Sequence, residues 1–438
     1  MSHTEIGQFS HRLSQVTVRE FKRAILLIFL SGLALRALWV YVIPVWQQAD
    51  EYPHFYYIEY LHKFKAFPVS KPAFPYYEGY QPPMYYILAA GIYSLFPSLN
   101  GESRTLTENS EADFHSESFQ DNNQMAGVLR WLSVLLWIGT FWVAYLFLTR
   151  FIPDDKNVAV VSLSLIAFIP TLVSNTASIT NDSLAMFLST LFFFLMLSER
   201  IHKPTQLFLV GLILGWGILS KYNCLVLVPT LIFSLILFHQ KSWGKLVFPV
   251  LAVTALMVAP WFRFTSQTYG ELLALNPGFE LKSSLLNHSL VEYIIAGRNL
   301  FWSFWAAAGR AYEIHLPIWF YIFVFGGISL ISIFGLTRFF QSVKRSSSPN
   351  PFQFNLVVLS VFNFILLILA SLWYSLSYPI MTSWGKNLFI SILPIALLLA
   401  LGWNQISSRR IWILSLPILL FISDLVYLFG QIRPYFYG

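Results

Sequence analysis

The chain has 438 residues, 56% hydrophobic and only 11% charged, with a mean hydropathy of +0.60. So few polar side chains cannot cover the cores that so much apolar surface would build, which excludes ordinary soluble globules and predicts an all-α polytopic membrane protein. The net charge of +7 comes without a basic stripe, so no nucleic-acid partner is expected, and the single cysteine, Cys224, excludes an internal disulfide and a cysteine-based metal site.

Residues 1–23 carry Arg12, Arg19, Lys22 and Arg23 ahead of an apolar run at 24–43. That run is too long for a signal-peptide core and has no small-residue cleavage site, so it reads as a retained first span behind a cytoplasmic N-terminus. Further apolar runs lie at 126–148, 158–174, 183–198, 206–220, 223–239, 246–262, 316–337, 353–374, 387–403 and 411–430, predicting about eleven transmembrane helices. With the N-terminus inside, Arg150 and Lys156, Arg200 and Lys203, Lys241 and Lys245, Arg338 with Lys344 and Arg345, and Arg409 with Arg410 all fall on inner connections, as the bias of basic residues toward the cytoplasm requires. The outer face then carries residues 45–125, 175–182, Ser220-Lys221-Tyr222, 263–315 and 375–386. The chain is read as one integral membrane domain over 1–438, with no appended soluble domain. No internal repeat stands out, which speaks against a transporter built from duplicated halves.

The first outer loop, 45–125, is not uniform. Residues 50–65 have helical spacing, with Phe55, Ile58, Leu61 and Phe64 as an apolar stripe, and 82–96 is apolar but too short to span. Both are expected as juxtamembrane helices in the interface, and the polar stretch 105–124 as a mobile loop.

Charged residues at the outer rim are the candidates for chemistry. On a helix starting near Ala49, Asp50 and His54 share a face at i,i+4, while Glu51 points about 100° away. Asp50 is expected as general base, with Glu51 beside it holding a neighbouring group or the backbone; acids favoured by a helix N-terminus are the bland alternative. His54 serves either as a structural hydrogen-bonder or at the substrate. Gln81 precedes Pro82-Pro83, which rigidifies the chain and starts the next helix. Asn181 or Asp182 caps the helix that follows, or Asp182 faces the same pocket as Asp50 and orients a hydroxyl. Lys221 and Lys386 lie in very short outer turns where cations are disfavoured, so each needs an anionic partner, and phosphate suits a protein embedded in lipid. Arg298, Arg310 and His315 precede the eighth span and add to the same anion site; the alternative for all these cations is headgroup binding or snorkelling. Arg36, within the first span, needs an interior acid or carbonyl. Gly211, Gly215 and Gly217 read as close helix packing. Asp50, Glu51, His54 and His115 are the available ligands for a divalent metal, but their spacing does not predict one.

Taken in order, Ala49-Asp50-Glu51-Tyr52-Pro53-His54-Phe55, Gln81-Pro82-Pro83-Met84-Tyr85-Tyr86, Thr180-Asn181-Asp182-Ser183-Leu184-Ala185, Gly217-Ile218-Leu219-Ser220-Lys221-Tyr222 and Trp384-Gly385-Lys386-Asn387 resemble the GT-C glycosyltransferases. The likeness covers 24–401 and is nearest to bacterial members of uncertain substrate, more distantly to lipid A aminoarabinose transferases and protein O-mannosyltransferases. The resemblance implies a cytoplasmic (inner) membrane enzyme with its site on the exoplasmic or periplasmic side, Asp50 with Glu51 in the catalytic role, and Lys221 and Lys386 near the lipid phosphate. It implies a polyprenyl-phosphate-linked sugar as donor, an acceptor that is a lipid, glycan or protein, membrane lipid as a further partner, no required cofactor, and inversion at the anomeric carbon. Two departures stand out: Lys386-Asn387 replaces an Arg followed by an aromatic, and no soluble C-terminal domain follows. The competing readings are a lipid or glycolipid flippase, which would line its spans with ionisable residues, and a non-catalytic subunit of an envelope-assembly complex.

Overall fold

In the computed structural model, which describes residues 18–70, 76–99, 124–275, 277, 288–345, 350–377 and 384–438, the apolar runs fold as helices. In chain order these are α1 (Val18–Val42), α2 (Glu51–Phe64), α3 (Met84–Ser94), α4 (Gln124–Phe151), α5 (Lys156–Phe168), α6 (Pro170–Asn175), α7 (Asp182–Met196), α8 (Pro204–Ser220), α9 (Leu227–Phe238), α10 (Trp243–Tyr269), α11 (Leu290–Trp305), α12 (Gly326–Arg345), α13 (Pro351–Ser377), α14 (Ile392–Ile406), α15 (Arg410–Tyr427) and a short α16 (Arg433–Tyr437). A minimal hairpin between α11 and α12 pairs β1 (Ala307–Ala308) antiparallel with β2 (Ile314–His315). Among the described residues, seven helical segments are long and apolar enough to cross a bilayer. The runs at 158–174, 183–198, 206–220 and 223–239 fold as shorter apolar helices, so the count of eleven stays an expectation. His115 and most of the polar stretch at 105–124 lie outside the described residues, as does Arg12.

The run at 158–174 is two helices because Pro170 cannot donate a backbone hydrogen bond and holds Ile169 extended (φ −64°, ψ 117°). That break frees carbonyls inside the bundle, and Arg36 of α1 takes them. Its guanidinium donates to Ala167 O (2.9 Å), Ile166 O (3.4 Å), Gly32 O (3.0 Å) and Thr176 Oγ1 (2.8 Å), and stacks 3.7 Å from the Trp137 ring centre. A cation in an apolar bundle persists only when its donors are used, and here they fix the start of the 175–182 turn.

Every residue of α5 from Val158 to Phe168 is buried, so its lack of an amphipathic pattern follows from a place at the centre of the bundle. It packs against α1, α14 and α15, while α7 packs between α4 and α8. α8 meets α10 closely: a methyl group on Gly211 would lie 2.7 Å from Val250 O, and one on Gly215 2.8 Å from Met257 Cβ. Gly217 has only an ordinary contact, 3.6 Å to Cys224, so close packing explains two glycines of the series and not the third.

The segment between α1 and α4 supplies α2 and α3, which pack together. Tyr57 stacks on Tyr86 with ring centroids 3.8 Å apart, and His62 Nδ1 lies 2.9 Å from Ser94 Oγ. Phe55, Ile58 and Leu61 of the expected stripe are buried, whereas Phe64 is exposed. The 50–54 segment thereby lies beside the 175–182 turn, where Ile179 N–H donates to Glu51 Oε1 (3.2 Å).

Candidate active site

Asp50 precedes α2 in the left-handed region (φ 58°), a conformation that Asp tolerates better than most residues. Its side chain makes no cap on α2, so helix capping does not account for it. Instead Asp50 Oδ2 accepts from Lys386 Nζ at 2.7 Å. The Asp50 side chain is 33% exposed against 8% for Lys386, so the acid is the open member of the pair.

Glu51, one residue on, points elsewhere. It is fully buried and takes both arms of Arg130: Nε donates to Oε1 (2.7 Å) and Nη2 to Oε2 (2.6 Å). The backbone N–H groups of Trp46 (3.0 Å) and Ile179 (3.2 Å) also donate to it. Arg130 spends its remaining donors on the carbonyls of Val40, Ile43 and Pro44. Every lone pair of Glu51 is thus engaged, and the catalytic share expected for it is corrected to an anchor that joins the end of α1, α2, α4 and the 175–182 turn.

His54, on the Asp50 face, is 3% exposed, and its Nδ1 lies 2.8 Å from Tyr86 OH. Burial pushes its pKa down to about 4 despite the pull of Asp50, so the imidazole is neutral at physiological pH. Lys386, Asp182 and Lys221 also act on it electrostatically, so His54 feels both ion pairs of the cluster.

The second ion pair joins Asp182 to Lys221. Lys221 Nζ donates to Asp182 Oδ1, and Asn175 Nδ2 donates to Oδ2 (3.3 Å). Asn181, the residue before α7, does not cap it: its amide donates to Gln81 Oε1 (3.3 Å) and Ser220 O (3.0 Å), tying the turn to the segment before α3 and to α8. Both residues expected as caps therefore serve the cluster.

Gln81 follows a single 3-10 turn, Tyr76–Tyr80, that brings in Glu78. Glu78 is 6% exposed and its Oε2 has no hydrogen-bond partner. Burial, then the nearby charge of Asp50, raises its pKa to about 8, with Lys386, Gln81 and Lys221 pulling the other way. Nothing in the sequence singled it out, because it stands in a stretch rich in aromatics with no pattern that marks a buried carboxyl.

Lys386 comes from the turn opening the Gly385–Ser391 3-10 segment. Gly385 is required there: its N–H donates to Ser303 Oγ (2.6 Å), and a Cβ would sit 2.0 Å from the Phe304 backbone nitrogen. Tyr312, from the turn of the β hairpin, lies under the lysine with its ring centre 5.4 Å from Nζ, and Trp384 leans on Tyr312 at 4.7 Å. Ala307 N donates to Thr171 Oγ1 (2.7 Å), fastening that hairpin to α6. Neither Arg130 nor Tyr312 was anticipated; an arginine in the first turns of an apolar span is the signal that could have raised Arg130.

Of the other expected cations, Arg298 and His315 lie against Trp302. Arg298 is exposed, donating to Asn299 Oδ1 (3.0 Å) with its guanidinium 5.2 Å from the Trp302 ring centre. His315, in β2, has Trp302 at 5.9 Å, and burial lowers its pKa. Arg310 is half-buried in the hairpin turn. Among the described residues no three His, Cys, Asp or Glu side chains converge as metal ligands. Of the ligands considered from the sequence, Glu51 is consumed by Arg130.

Residues 121–263 match the family model for dolichyl-phosphate-mannose-protein mannosyltransferases. No curated protein sequence matches the chain. Among solved structures, ArnT from Cupriavidus metallidurans bound to undecaprenyl phosphate superposes with a TM-score of 0.53 at 11% identity, over 87% of this chain and 60% of that one. The oligosaccharyltransferase of Archaeoglobus fulgidus in its apo form gives 0.56 at 13% identity, over 94% of this chain and 56% of that one. The oligosaccharyltransferase AglB of the same organism, in complex with an inhibitory peptide and a dolichol-phosphate, gives 0.51 at 12% identity, over 93% and 56%.

The chain has the GT-C fold. It is a multi-pass integral membrane protein, and it spans 60% or less of the length of the solved GT-C proteins it matches. The family-model match covers α4 to α9 and most of α10, and so includes Arg130, Asp182 and Lys221 but neither Asp50 nor Lys386.

Proposed function

We propose that the chain is an inverting glycosyltransferase that moves a sugar from a polyprenyl-phosphate carrier to an acceptor hydroxyl at the outer face of the cytoplasmic membrane. The observation that carries this reading is the Asp50–Lys386 pair: a partly open carboxylate held beside a buried ammonium, next to a second buried lysine. Solved structures sharing the fold are described with undecaprenyl phosphate or a dolichol-phosphate bound, which supports a lipid phosphate as the anion.

In this reading Lys386, with Lys221 behind it, binds the phosphate of the donor. Asp50 takes the proton from the acceptor hydroxyl, whose oxygen bonds to the anomeric carbon from the side opposite the phosphate. The bond from that carbon to the phosphate oxygen breaks, and the polyprenyl phosphate leaves with the electron pair, its growing charge stabilised by the lysines. Attack opposite the leaving group inverts the anomeric centre. His54, being neutral, and Gln81 offer uncharged hydrogen-bonding groups beside the sugar.

The test is transfer from a panel of polyprenyl-phosphate sugars by the purified full-length protein and its Asp50→Asn variant. Product of inverted configuration from the wild type, with Asp50→Asn slower by about 10²–10⁴-fold, is the expected result. Undiminished transfer by Asp50→Asn removes Asp50 as base.

A further inference from the structure

Glu78 is the one buried carboxyl in the cluster that neither the ion pairs nor the proposed chemistry uses. Gln81 hydrogen-bonds to its carboxyl but its Oε2 is buried without a partner, whereas the other carboxylates nearby are ion-paired: Asp50 with Lys386, Glu51 with Arg130 and Asp182 with Lys221. The groups that interact with it electrostatically come from separate elements: Asp50 from the start of α2, Tyr86 from α3, Lys221 from the end of α8, Lys386 from the Gly385–Ser391 segment and Tyr80 from its own turn, while Gln81 hydrogen-bonds to it. The cations within reach are already matched by Asp50 and Asp182, so a third ionised carboxylate would be unbalanced among them. An unbalanced buried charge is costly, whereas a protonated carboxyl in the same place is a hydrogen-bond donor without a receiver.

We infer that Glu78 is a substrate-positioning residue that works as a neutral carboxylic acid, donating a hydrogen bond to an anionic oxygen of the ligand that Lys386 and Lys221 bind. This rests on the phosphate reading above and adds to it a residue and a protonation state. The acid gives its hydrogen bond without adding negative charge beside a phosphate, and it loses both advantages when it ionises. Its pKa near 8 sets where that happens. Phosphate monoesters complete their own ionisation near pH 6 and lysines lose theirs near 10, so the interval from about pH 7.5 to 9 isolates the carboxyl.

The experiment measures binding of undecaprenyl phosphate to the full-length protein in nanodiscs between pH 7 and 9.5, for wild type, Glu78→Gln and Glu78→Ala. Wild-type affinity is expected to fall about tenfold or more through pH 8, the scale of one hydrogen bond to a charged group. Glu78→Gln, which still donates but cannot ionise, is expected to bind within a few-fold of wild type at pH 7 and to show no step. Glu78→Ala is expected to be weak at every pH. A wild-type profile parallel to that of Glu78→Gln, or Glu78→Gln as weak as Glu78→Ala throughout, overturns the assignment while leaving the phosphate site intact. Absence of wild-type binding at every pH overturns the phosphate reading and the assignment with it.

Discussion

Asp50 takes its positive φ at the third position of a turn closed by Glu51 N–H donating to Gln48 O (3.3 Å), and its carboxylate stands where Lys386 can pair with it. Replacing Lys386 by Ala is expected to weaken binding of polyprenyl phosphate by about tenfold or more, measured directly on the purified protein. Titration gives a second expectation at this scale. His54 is held at about 4 against an ordinary 6.5, so between those values the unfolded chain binds the extra proton and stability rises with pH. Glu78 is held at about 8 against 4.5, so the native state binds the extra proton and stability falls as pH rises through that window. The two oppose each other up to pH 6.5, and from there to about 8 only Glu78 of the two contributes. The unfolding temperature of wild type relative to Glu78→Gln should therefore decline from pH 6.5 to 8.5; a constant difference contradicts the assignment. Asp50, Asp182, Lys221 and Lys386 were legible in the sequence because each is a charge at the end of an apolar run. Glu78 was not, since its burial depends on a fold around it that no local pattern encodes.

At the level of elements, the site depends on two buried arginines that hold irregular backbone. Arg130 joins α4 to α2 and to the end of α1 through Glu51, and removing it leaves that carboxylate buried without its counter-charge. Arg130→Met should cost about 3–5 kcal/mol, read as a lowered unfolding temperature, and adding Glu51→Gln should recover part of the loss because it removes the stranded charge. Unchanged stability of the single variant contradicts the anchoring role. Gly385→Ala tests the approach of the Lys386 turn to α11: the added Cβ collides with Phe304 backbone, so transfer should drop by about 10²-fold through displacement of Lys386. The positions of helices were largely readable from apolar runs. The break at Pro170 and the partners of Arg36 and Arg130 were not read, because a guanidinium in a span announces that it needs acceptors without saying which carbonyls of a distant turn supply them.

For the molecule as a whole, segments around residues 50, 78, 182, 221, 312 and 386 converge on one end of the helical assembly, and no pair of them is close in sequence. Length and composition of the spans determine that such a chain lives in a bilayer, and under the proposed function the charges gathered at that end receive a lipid with an anionic head. The order of short motifs from Asp50 to Lys386 made the fold legible, while Arg298 and His315, sharing the same predicted outer face, lie against Trp302 instead. The most direct test is an experimental structure of the full-length protein with undecaprenyl phosphate. The phosphate is expected within about 3 Å of Lys386 Nζ, beside Asp50 and on the Lys221 side. A phosphate bound at the opposite end of the helices, away from Asp50 and both lysines, would contradict it.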